Sequence, residues 1–211
     1  MIRIRTDSRP LTLTTEGLEL VGHREVRASV TNPREIAGCA AYLKFVSNYI
    51  ISEKATIKPG ETIPYGFWLT RFVQTADGQL EAEEYRADAS EFISGVSLTV
   101  SYWEQQHLLC AKAGATFLPP RPDRKAVISE GVLDCAPVEG IRYPSPEHMS
   151  GWWLTTAAYN GDIKSLKAIE LYRVTCVRPD LVKFLALPFG YTFESQIGTV
   201  SFDEQVANST P

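Results

Sequence analysis

Histidine, basic surplus, clustered cysteine and long apolar runs are all scarce in this sequence, and each scarcity excludes a class of function. The three histidines, His23, His107 and His148, stand in no HExxH, HxH or HxxxH spacing, so no single element offers two of them to a metal ion. Cys39, Cys110, Cys135 and Cys176 lie far apart with no CxxC, which reads as free thiols in a reducing compartment. Nucleotide-cradling GxxxxGK[ST] and GxGxxG loops are absent, as is the GxSxG turn of the α/β-hydrolases. Neither a metal nor any other cofactor is called for. Lysine and arginine number 21 against 25 acidic residues, a formal net charge of −4, whereas nucleic-acid domains gather a basic surplus on one face. Direct nucleic-acid binding is therefore not expected. The most apolar long segment, Ile36 to Ile57, is interrupted by Lys44, Glu53 and Lys54, and the arginine-bearing start "MIRIRTDSRPLTLT" leads into no apolar run. Both points argue against a membrane span or a secretory signal, and for a cytoplasmic protein.

What is present suits a folded α+β protein. With 44% hydrophobic and 22% charged residues in 211, the chain can bury a core and is long enough for two small units. Each is expected to be a mainly antiparallel sheet packed with one or two helices. Asn32, Pro33 and Glu35 form a helix start with a capping box, and Ile36, Ala40, Leu43, Val46 and Ile50 then make one apolar stripe. Asp77-Gly78 marks a hairpin within "ETIPYGFWLTRFVQTADGQLEAEEYRA". The segment "SLTVSYWEQQHLLCAKAG" predicts a second helix, with Val96, Val100, Trp103 and Leu108 on its apolar side and Gly114 as its stop; "SLTVSY" alone would also suit a strand. The proline-rich "ATFLPPRPDRK" places a linker over residues 118–125, between domains 1–117 and 126–211. Beyond it "AVIS", "VEGIRY", "GWWLTT", "AIELYRV" and "YTFES" read as strands, "RPDLVKFLAL" as a short helix, and "QVANSTP" as a frayed tail.

Candidate functional residues fall into three groups. Trp152 and Trp153 are adjacent, so in a strand they point to opposite faces, and only one can be an ordinary core residue. The outward one, with His148, Tyr159 and Asp162 near it in sequence, is a candidate anchor for a protein partner; burial against the other half of the chain is the alternative. Glu81, Glu83, Glu84, Asp88 and Glu91 make a second candidate, either a solvated face or an attractor of a basic partner. Thirdly, Glu147, His148 and Asp162 would have to converge if the protein were a hydrolase with a site between its halves. Asn160, Gly161 and Asp162 are equally explained by a tight turn that caps the next element.

Several short patterns occur in order: Ile128-Ser129 with Val132, Val138 to Tyr143, Ser150-Gly151-Trp152, Pro179-Asp180-Leu181, and Leu187-Pro188-Phe189-Gly190 leading to Phe193-Glu194. In this order the stretch from Lys125 to Ser195 resembles the immunity protein 33 family of bacterial polymorphic-toxin systems. The family's very acidic stretch after "SGW" is replaced here by "LTTAAYNGDIKSLKA". The resemblance implies a small α+β domain that neutralises a toxin by binding, with no catalytic residue to carry over. A toxin of the nuclease class, with a basic cleft, would suit the acidic chain. A ligand-sensing or scaffold module remains the other non-catalytic reading.

Overall fold

The computed structural model describes residues 2–209. The chain forms two compact units, one from the chain up to Arg86 together with Ser90–Glu104, the other from Ala87–Ala89 together with Gln105 onward. Both are α+β.

In the first unit β1 (Arg3–Thr6), β2 (Thr12–Glu16) and β3 (Val26–Ser29) precede helix α1 (Ile36–Ser52), and β4 (Thr62–Tyr65), β5 (Trp68–Gln74), β6 (Leu80–Tyr85) and β7 (Phe92–Ser94) follow it. The sheet order is β1-β2-β3-β6-β5-β4 with β7 added on β6, antiparallel except where β3 meets β6. The expected capping box forms: the Asn32 side chain accepts from the Arg34 amide and Glu35 reaches back to the Asn32 amide. A 3-10 turn at Pro33–Glu35 intervenes before α1 proper. From α1, Cys39, Leu43, Val46 and Ile50 bury against Val26, Ala28, Phe72, Leu80 and Ala82 of the sheet. Tyr42 enters the same core because its hydroxyl finds a partner, Thr70 Oγ1 at 2.9 Å. Helix α2 (Ser97–Lys112) follows β7.

Strands of the second unit are β8 (Lys125–Ile128), β9 (Glu139–Arg142), β10 (Met149–Thr155), β11 (Lys167–Glu170), β12 (Tyr191–Glu194) and β13 (Thr199–Phe202). Their order is β11-β8-β10-β9-β12-β13, and the β8–β10 pair is the parallel one. Helix α3 (Leu171–Val177) and a 3-10 helix at Pro179–Phe184 lie between β11 and β12, and α4 (Glu204–Ala207) closes the described chain. Leu171, Val174, Leu181, Val182 and Phe184 are fully buried, so these short helices supply much of the unit's core.

Three local expectations are corrected. "AIELYRV" is a strand only as far as Glu170, and its second half is α3. The short helix expected in "RPDLVKFLAL" forms, as a 3-10 helix with Pro179 in its first turn. Leu108 does not share the buried side of α2 but is 61% exposed, because Tyr102, Gln106 and Cys110 turn inward instead. Within "QVANSTP", Gln205–Ala207 are helical, capped by Asp203, and the last two residues lie outside the described ones.

Candidate functional site

The short motifs of the second unit meet on the inner face of its sheet, around Arg142 and Trp152. Arg142, 3% exposed, donates from Nε to the Ser150 carbonyl at 3.1 Å and from Nη1 to the carbonyls of Leu118 and Leu187. Its guanidinium also lies 4.9 Å from the Phe189 ring centre. Burial pulls its pKa down to about 10, so it stays charged at neutral pH, and backbone carbonyls rather than a carboxylate hold that charge. Trp152 is fully buried, its Nε1 donating to the Leu185 carbonyl at 3.1 Å. Ser150 ties β10 to β8 by donating to the Lys125 carbonyl. Gly151 takes φ +83, and a Cβ there would strike the Tyr143 carbonyl. The register between β10 and β8 shifts over this Ser-Gly step. "SGW" is thus a bulge followed by a core tryptophan.

The outer face of the same sheet is different. Trp153 faces Val127 on β8 and Ile141 on β9; Val127 faces Ala168 on β11; Ile141 faces Thr192 on β12; and Thr192 faces Ser201 on β13. One cross-strand row therefore traverses all six strands, and every member is partly or fully exposed. Trp153 packs edge-on against Tyr143, ring centres 5.8 Å apart. The two rings, with Val127, Pro144, Pro146 and Met149, line a groove of about 410 Å³. Adjacent on this face lies a second groove of about 310 Å³, lined by Glu139, Ile141, Thr192, Glu194, Thr199 and Ser201. This face, presenting an aromatic and apolar groove beside an acidic one, is the candidate site.

The other candidates are scattered. Glu147 is 92% exposed and pairs with Arg124 at 2.8 Å, which lowers its pKa; a general acid needs the opposite shift. Asp162 accepts the Lys164 amide and caps the 3-10 turn Ile163–Ser165, as a turn residue would. His148 is exposed and contributes only its carbonyl, to the Lys125 amide, while Tyr159 is half-buried after the strand. Among the described residues no cluster of His, Cys, Asp or Glu suits a metal.

The acidic residues of β6 do not share one face. Glu84 must be struck from any surface contact: it is 2% exposed and accepts the amides of Leu98 and Thr99 in the first turn of α2, at 2.9 and 2.6 Å. Desolvation raises its pKa against those two bonds. Glu81 and Glu83 sit on the opposite side of β6, paired with Arg9 and Arg71. Glu91 pairs with Arg86, and Asp88 is exposed.

Two α+β units, the second with a packed inner and an open outer sheet face, define the class of molecule to which comparison can be made. Residues 105–203, a little under half of the chain, match the Imm33-like domain. That span contains all six strands of the second unit, and extends beyond the stretch over which the sequence motifs carry the likeness. No curated protein and no solved structure matches the chain. Among the described residues no helix is long and apolar enough to cross a membrane.

Proposed function

We propose that this is an immunity-like protein, acting in the cytoplasm, whose second unit binds a cognate bacterial toxin and neutralises it by occluding its active surface. The observation that carries the reading is the Imm33-like match over residues 105–203. The open sheet face supports it, since an inhibitor that works by occlusion needs an accessible surface rather than a reactive centre. The net charge of −4 favours a toxin with a basic cleft, as a nuclease has, because opposite fields speed encounter. The test is coexpression with the toxin domain encoded beside the gene. Growth should be rescued and the two chains should co-purify; neither rescue nor a complex would sink the proposal.

A further inference from the structure

Glu139 of β9 stands directly opposite Glu194 of β12. Like charges in facing positions of an antiparallel pair, with Cβ atoms about 5 Å apart, repel and weaken the sheet. The other charged residues that face each other in the two sheets have opposite signs: Arg3 with Glu16, Arg27 with Glu81, Arg71 with Glu83, and Lys125 with Glu170. Neither Glu139 nor Glu194 has an ion pair or side-chain hydrogen bond among the described residues. The pair therefore has no structural gain to set against its repulsion. It lines the groove of about 310 Å³, one row along the face from Trp153 and Ile141.

We propose that the outer face of the second sheet is where the toxin docks, with a lysine or arginine of the toxin lying between Glu139 and Glu194 and an apolar side chain beside it entering the Trp153–Tyr143 groove. This rests on the immunity reading above and names the surface and the chemistry of its partner. A cation between the carboxylates turns the unfavourable pair of the free protein into two charge-assisted contacts in the complex. Trp153, rigid and half-exposed, supplies the kind of aromatic anchor that dominates binding energy.

Two arms test the idea separately from the function. First, a peptide of alternating lysine and leucine is titrated into the labelled full chain and followed by NMR. Saturable shifts are expected at the Trp153 indole and at the amides of residues 139 and 194, and the Glu139→Gln/Glu194→Gln double variant should weaken binding on the order of tenfold while melting higher than the parent. Shifts centred on residues 81–91, or none, overturn the surface, as does a double variant that binds and melts like the parent. In the second arm the neighbouring toxin domain is the probe. If the parent fails to neutralise it, the immunity reading falls and the peptide arm still judges the face. If the parent protects and both the double variant and Trp153→Ala protect equally well, the face is wrong and the function stands.

Discussion

Trp152 and Trp153 are neighbours in sequence with opposite physical roles. Trp152 has no solvent exposure, touches the Phe193 ring and satisfies its N–H on Leu185. Truncation to alanine should cost about 3–5 kcal/mol, enough to threaten the unit's fold. Trp153→Ala should cost roughly 1 kcal/mol, mainly its edge-on contact with Tyr143. Urea melts of the two variants check this, and equal losses would contradict the inward and outward assignment. A second prediction concerns Asp7, which receives the Arg9 amide, the hydroxyls of Thr14 and Ser8, and Arg27 at 3.1 Å. These hold its pKa far below the ordinary carboxylate value of 3.8, with the Arg9 amide the largest cause. Asp77 is lowered to about 2, first by the Thr75 hydroxyl and then by Arg27. Because both folded-state values are depressed, their stabilisation is present above the ordinary value and is lost as pH falls through the folded one. The advantage of the parent over Asp7→Asn should therefore be full at about pH 6 and shrink progressively as the pH falls from about 4 toward about 2, without vanishing in that range.

Elements became readable from sequence where one periodic pattern met one strong punctuation mark. The capping box of Asn32 and Glu35, the Asp77-Gly78 hairpin between β5 and β6, and the split faces of Trp152 and Trp153 all obey local rules. Strands β1 to β3 were invisible because β2 reads "TLTTE": Thr12, Thr14 and Thr15 are buried polar residues, and Thr14 and Thr15 are stabilised by Asp7 and Glu25, which lie outside the strand itself. Glu84 was read as one of a surface run for the same reason, since its ligands, the first amides of α2, come from another element. The candidate face was half readable: one of Trp152 and Trp153 had to point outward, but which one, like the meeting of Glu139 with Glu194, depends on a strand register that no single segment encodes. Close packing between elements carries its own prediction. A Cβ on Gly140 would overlap the Phe193 ring, which stacks on Phe184 with ring centres 4.1 Å apart. Gly140→Ala should thus destabilise by about 1–3 kcal/mol although its backbone angles are ordinary for a strand, and thermal melts with near-UV circular dichroism would register the displaced rings. An unchanged melt would show that the β9–β12 contact yields more easily than this packing implies.

At the scale of the whole molecule, the net charge matters less than where it is left uncompensated. In the first unit Glu81, Glu83, Glu91, Asp7 and Asp77 each lie within an ion pair with an arginine, so their fields largely cancel a short distance away. Glu139 and Glu194 have no such partner among the described residues and project from an open face. A basic toxin approaching the molecule should therefore be steered by the second pair, while the longer acidic run contributes little. Association followed by stopped flow should slow several-fold between about 50 and 500 mM salt, as expected when opposite charges guide encounter. Glu139→Gln/Glu194→Gln should start slower and lose most of that salt dependence, with dissociation faster as well if the pair lies inside the proposed contact. Glu81→Gln/Glu83→Gln removes the same formal charge and should leave the salt slope almost unaltered, changing stability by about 1 kcal/mol as the exposed Arg9 and the half-buried Arg71 lose their partners. The comparison holds total charge constant and varies only its position. Identical salt slopes for the two double variants would mean that overall charge alone guides the encounter, and the open face would lose its electrostatic claim to the partner.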